Sequence, residues 1–247
     1  MRQIDAIVFD KDGTLFDFDA TWTVWAGDTI LALAGGDDAL AMTLAATLDY
    51  DLEARKFLPG SSVIAGTLEE QAALIADVLP GRSVAHLTQE LTERSIDVPQ
   101  VEVTPLRTFF HALRARGLRL GVATNDAEAS MQQHLQKAGV DDLLDFAAGF
   151  DSGHGHKPEP GQLFAFADAV RADPARCAMV GDSTHDLDAA QAAGMVGIGV
   201  LTGPAGVEDL VPSASVVLQS VADIPDWLDG GVPLAKGMRA RALIPAS

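Results

Sequence analysis

The chain has 247 residues, 48% of them apolar but only 6% aromatic, and carries 35 acidic against 17 basic side chains for a net charge of −18. That balance argues against a nucleic-acid partner, and the length allows one large α/β domain or one domain with a smaller insertion. The single cysteine, Cys177, excludes an internal disulfide, and its apolar run Cys177–Val180 predicts structural packing rather than nucleophilic chemistry. The first strand begins almost at Met1 and no run of about 18 apolar residues occurs, so neither signal peptide nor membrane span is predicted and a cytoplasmic location is expected.

The first predicted element is a buried strand, Ile4–Val8, running into Phe9-Asp10-Lys11-Asp12-Gly13-Thr14-Leu15. In extended chain, positions two apart point the same way, so Asp10 and Asp12 can serve one site. Such a pair can bind a hard cation, and one member can attack while the other carries protons. A calcium loop would need Asp or Asn at position 8 and Glu at position 19; Val8 and Asp19 stand there, and that reading fails. By the same alternation Lys11 should point away from both carboxylates, as a tolerated surface or cap-facing residue.

Positions 16–100 then read as helices with little β signal: Trp22–Ala34, Asp38–Leu48, Leu68–Leu79 and Ser83–Ile96. The interval is too long for an ordinary βα loop, which predicts an all-helical domain inserted after the first strand. Arg55-Lys56-Phe57-Leu58-Pro59-Gly60-Ser61-Ser62 joins two of its helices and holds two of its few cations; Arg55 or Lys56 is the candidate for a second anion on the substrate. Phe16, Phe18 and Trp22, where the chain enters the insertion, are expected to be hinge packing.

Beyond position 102 strands and helices alternate. Helix Thr104–Gly117, strand Leu118–Ala123, helix Ala127–Ala138, strand Phe146–Phe150, helix Gln162–Val170, strand Cys177–Val180, an Ala-rich helix to Gly194, and strands Val196–Val200 and Ser215–Leu218 follow in order. This is the pattern of a doubly wound parallel sheet. The expected organisation is an α/β core at 1–15 and 101–230, a helical cap at 16–100 and a loosely ordered C-terminal tail at 231–247.

Open α/β sheets bind ligands at the carboxyl ends of their strands. Asp10 and Asp12, then Thr124 with Asn125 and Asp126, then Lys157 in His154-Gly155-His156-Lys157-Pro158, and finally Asp182 with Asp186 all fall at such ends. Carboxylates, a hydroxyl and an ammonium together form a set for holding Mg²⁺ and a phosphoryl group. His154, His156 and His185 lack a zinc spacing and are read as loop residues; the glycines around His154 predict a mobile loop that sets where Lys157 reaches.

The ordered set Asp10-Lys11-Asp12-Gly13-Thr14, Thr124, Lys157 and Gly181-Asp182-x-x-x-Asp186 resembles the four motifs of the haloacid dehalogenase superfamily, and the helical insertion resembles its cap of the first class. Phosphoglycolate phosphatase-like enzymes are the nearest in pattern. The resemblance implies that Asp10 attacks phosphorus, that Asp12 protonates the leaving oxygen and then activates water, and that Lys157 neutralises the phosphate. Thr124, Asn125 and the Gly13 turn would bind phosphoryl oxygens. Asp10, the carbonyl of Asp12 and Asp182 would hold Mg²⁺, with Asp186 nearby. An acid at position 12 implies a phosphate ester or anhydride as substrate. The expected activity is a phosphatase for a small phosphorylated metabolite, with 2-phosphoglycolate leading, from a monomer or homodimer. A phosphomutase and a non-catalytic phosphate-binding protein are the alternatives.

Overall fold

The computed structural model describes residues 4–58, 61 and 63–230; the tail expected at 231–247 lies outside them. Strand β1, Ala6–Phe9, is buried along its whole length. After it the chain makes a π-type turn, Asp19–Thr23, and helices α1 (Val24–Ala34) and α2 (Asp38–Thr47). Two short strands, β2 (Tyr50–Asp51) and β3 (Lys56–Phe57), precede helices α3 (Leu68–Val78) and α4 (Val84–Ser95). Side-chain caps set the helix starts: Asp37 accepts from the N–H groups of Ala39 and Leu40, Thr67 and Glu70 form a capping box, and Ser83 accepts from His86.

The β2–β3 hairpin corrects the purely helical reading of this segment. Tyr50 and Phe57 face each other edge-on at 5.3 Å across the pair, and Asp51 caps the turn by accepting from Glu53 and Ala54. Two-residue strands are too short to show a period of two, so the turn chemistry and the aromatic pair hold them instead.

The remaining elements are α5 (Leu106–Ala115), β4 (Arg119–Ala123), α6 (Glu128–Lys137), β5 (Phe146–Ala148), α7 (Gly161–Val170), β6 (Cys177–Gly181), α8 (Thr184–Ala193), β7 (Val196–Val200), α9 (Val207–Leu210), β8 (Val216–Leu218) and α10 (Ile224–Leu228). The strands form one parallel sheet in the order β5-β4-β1-β6-β7-β8, with the chain winding outward from β1 in both directions. The doubly wound sheet read from the sequence is therefore present, with the helical cap inserted after β1.

Each face of the sheet is covered. Ile7 and Phe9 pack with Phe110, Leu113, Met131 and Val180 on one side, while Ala6 and Val8 pack with Leu163, Phe166 and Met179 on the other. The inserted helices bury a separate cluster around Ile30, Leu44, Ile75 and Leu87. Cys177 is buried, and burial followed by the nearby carboxylates of Asp5 and Asp173 pushes its thiol up to about 11, which leaves it unreactive.

Register places the chemistry. Phe9 pairs with Val122 on one side and Val180 on the other, so Asp10 lies level with Ala123 and Gly181, one step from Thr124 and Asp182. Phe110 is fully buried and its ring centroid lies 5.6 Å from that of Phe9, the residue before Asp10. Phe110→Ala should lower stability by about 3–5 kcal/mol, read as a reduced urea midpoint at unchanged slope. A loss under about 1 kcal/mol would contradict this packing.

Candidate active site

The four predicted segments converge at the carboxyl edge of the sheet. Lys157 Nζ lies 2.5 Å from Asp10 Oδ1 and 2.6 Å from Asp186 Oδ1, and all three side chains are buried. Asp182 joins them: oxygens of Asp10, Asp182 and Asp186 all fall within 4.8 Å of one another. Thr14 Oγ1 donates to Asp182 Oδ1 at 3.1 Å, and Asp186 closes a capping box with Ser183 at the start of α8. Two glycines make this approach possible. Gly13 has φ +80° and a Cβ there would sit 2.4 Å from Asp182, while a Cβ on Gly181 would sit 2.2 Å from Asp186.

Electrostatics follow from crowding. Burial, together with the carboxylates of Asp186 and Asp12, pushes Asp10 up to about 7 against the pull of Lys157. Burial, then Asp10 and Asp186, raises Asp182 well above the ordinary carboxylate range. Burial alone would lower Lys157, but the carboxylates of Asp10 and Asp186 outweigh it and leave its affinity for the proton raised. One ammonium thus serves three buried carboxylates. A hard, oxygen-seeking divalent cation fits this donor set, because it would relieve the repulsion that one lysine leaves in place.

The loop carrying Lys157 is tied down by Asn125. The Asn125 side chain donates to the carbonyls of Lys157 and Ala65, both at 2.9 Å, and accepts from Lys157 N–H at 2.9 Å. Thr124 Oγ1 accepts from the Asp126 N–H at 3.1 Å and faces the same cleft. The cleft encloses about 730 Å³ of space between protein atoms, part of it open to solvent.

The family of haloacid dehalogenase-like hydrolases matches the chain over residues 4–194. The chain belongs to that family. It is 30% identical over 245 residues to a phosphoglycolate phosphatase of Rhodospirillum rubrum, an alignment covering 96% of this chain and 95% of the relative. Among solved structures, a haloacid dehalogenase-like hydrolase from Bacteroides fragilis superposes with a TM-score of 0.70 at 20% identity, covering 90% of this chain and 100% of that one. The β-phosphoglucomutase of Clostridium difficile gives 0.66 at 18% identity, covering 92% and 98%. The family resemblance carried by the motifs is therefore established, and the likeness to the two structures is one of fold.

Within this haloacid dehalogenase-like hydrolase, several residues sit differently from expectation. Lys11 is wholly buried rather than on the surface or facing the cap. Its Nζ lies 2.7 Å from Asp12 Oδ1, 3.1 Å from Asp126 Oδ2 and 3.2 Å from His134 Nδ1, with the Trp22 ring face 5.3 Å away. The alternation argument fails because β1 stops at Phe9. Residues 11–16 form a turn in which the Lys11 carbonyl accepts from both Leu15 and Phe16, so period two no longer applies. The Gly13 N–H donates to the Phe16 carbonyl at 2.7 Å, so it is engaged within the turn rather than offered to a phosphate.

Arg55 and Lys56 are exposed and do not line the cleft; Arg55 pairs with Asp28 at 2.7 Å. Phe18 and Trp22 line it while packing on Phe57 and Trp25, whereas Phe16 is buried in the core away from it. His185 lies at the cleft with Nδ1 3.1 Å from the Ala65 carbonyl, and His154 packs against Phe146. Trp25 and His134 escaped sequence reasoning as parts of the site, and Asp126, placed there with Thr124 and Asn125 at a strand end, was given no role. Asp126 alone carried a signal, as the third polar residue after a strand end.

Lys11→Met should leave Asp126 buried without its cation and lower stability by about 3 kcal/mol in urea unfolding, together with a loss of turnover. Unchanged stability would show that the Lys11–Asp126 pair is not formed. A second expectation concerns pH. In the metal-free protein Asp10 and Asp182 keep protons that the unfolded chain has already released, so stability falls as pH rises from the ordinary carboxyl range through about 7. The Tm of chelated protein should drop across this window, and added Mg²⁺ should raise it most at the upper end. A flat profile would mean that the carboxylates do not repel as described.

Proposed function

We propose that the protein is a Mg²⁺-dependent phosphatase that hydrolyses a small phosphomonoester metabolite through a phosphoryl group carried on Asp10. The observation that carries this reading is the buried Lys157 bridging Asp10 and Asp186 beside Asp182, in a cleft that Asp12 and Thr124 also line. Asp10, Asp182 and the backbone carbonyl of Asp12 would hold Mg²⁺, with Asp186 in support. Bound there, the ion supplies positive charge to the phosphoryl oxygens.

The remaining work falls to the side chains. Lys157 fixes one oxygen of Asp10, which leaves the other to attack phosphorus as the bond to the leaving oxygen breaks. Asp12 gives that oxygen a proton, then takes one from the water that releases phosphate and restores Asp10. Thr124 donates to a phosphoryl oxygen, and Asn125 acts through Lys157 by holding its backbone.

We place the catalytic core at 1–15 and 101–230 and the cap at 16–100, the latter supported by its separate apolar cluster. A cytoplasmic monomer or homodimer without nucleic-acid or membrane partners fits the charge of −18, and among the described residues no helix is long and apolar enough to cross a membrane.

The relative from Rhodospirillum rubrum is named for phosphoglycolate, which puts 2-phosphoglycolate in the test panel. Phosphate release from small phosphomonoesters should be abolished by EDTA and restored by Mg²⁺, and Asp10→Asn should lower kcat at least about a thousandfold while the fold survives. Turnover only with a bisphosphate activator and no net phosphate would favour a mutase. Near-normal turnover by Asp10→Asn would sink the mechanism.

A further inference from the structure

The floor of the cleft and the wall facing it are chemically opposite. Against the charged floor stand Phe18, Trp22, Trp25, Phe57, Ile64 and Leu68. Among the described residues lining the cleft, Lys157 is the one Lys or Arg side chain, and both its carboxylate partners belong to the floor. The other basic group, His185, lies within hydrogen-bond distance of Ala65. The rings of Trp22 and Trp25 stand nearly perpendicular with centroids 5.2 Å apart, and both indole Nε1 atoms are closed to solvent, so what these residues present is apolar ring surface.

A carboxylate set against this wall would lose its water and, among the described residues, meet no free cation, because Lys11 beside Trp22 is fully buried and already paired with Asp12 and Asp126. An uncharged ring or hydrocarbon would instead cover the aromatic faces and bury apolar surface against them. We propose that the substrate is a phosphomonoester whose alcohol part is uncharged and largely apolar, seated against the rings of Trp22 and Trp25. This rests on the phosphatase reading and names the substrate class of that same site.

The test compares kcat/KM with Mg²⁺ for benzyl phosphate, ethyl phosphate and 2-phosphoglycolate, all esters of alkyl alcohols. Benzyl phosphate should lead, exceeding 2-phosphoglycolate by about tenfold or more. Trp25→Ala should shrink that ratio by roughly the effect of losing an aromatic contact, about fivefold or more. Gln71→Arg, at a half-buried position on the cleft wall, should shift preference toward 2-phosphoglycolate and covers the case in which Trp25→Ala does not fold. A wild-type preference for 2-phosphoglycolate, or a ratio that neither variant moves, overturns the inference and leaves the phosphatase reading standing. Absence of Mg²⁺-dependent release from all three compounds overturns the phosphatase reading, and this inference with it.

Discussion

Three carboxylates buried around one ammonium is the arrangement on which the rest of this protein depends. Left to themselves, Asp10 and Asp182 would move away from Asp186 and from each other or take up protons, because burial and the neighbouring carboxylates both oppose their charge. The fold prevents separation. Asp10 and Asp182 extend from neighbouring parallel strands whose register is fixed by ladder hydrogen bonds, and Asp186 is locked in the first turn of α8 by Ser183. Gly13 and Gly181 admit the carboxylates to this space, since any side chain at either position would displace Asp182 or Asp186. The apolar layers on both faces of the sheet offset the cost of keeping like charges together.

Legibility in the sequence followed the range over which a pattern repeats. The alternation of strands and helices after position 102 was readable because each unit is long enough to show its period, and β4, β6 and β7 lie where the apolar runs place them. Asp10, Thr124, Lys157 and Asp182 were readable because each follows a strand, and parallel strands bring their carboxyl ends to one edge. Lys11 was not, since a turn of a few residues obeys no period and its orientation depends on Asp126 and His134, more than a hundred positions away. Arg55 was misjudged for a related reason: sequence counts cations, but only the fold shows that Asp28 already faces this one. Trp25 looked like one apolar residue of a helix, and its place at the cleft depends on how α1 sits over the sheet.

The division between floor and wall also explains how so acidic a chain can handle an anion. Its positive charge is not spread over the surface of the cleft but concentrated at Lys157, where two carboxylates hold it in place and burial strengthens every interaction it makes. The wall contributes apolar surface instead of charge. In the reading proposed above, such a cleft separates two tasks: the floor would take the phosphoryl group, and the wall would distinguish what is attached to it.

Those two parts are joined below the surface. Lys11 contacts Asp12 on one side and His134 on the other, and His134 Nε2 lies 3.0 Å from the carbonyl of Ser95 at the end of α4. Burial, then the neighbouring Lys11 ammonium, lowers His134 to about 4, so the ring is neutral and bridges as a hydrogen-bonding group rather than as a charge. Ser95 Oγ also lies 2.5 Å from Ser130 Oγ on α6. The last turn of the cap helix and the Asp12 carboxylate therefore share one polar network, buried at Lys11, His134, Ser95 and Ser130 and reaching the cleft at Asp12. His134 and Ser130 both lie on α6, so moving α4 against α6 would break their contacts with Ser95, and the position of the cap is linked through His134 and Lys11 to Asp12.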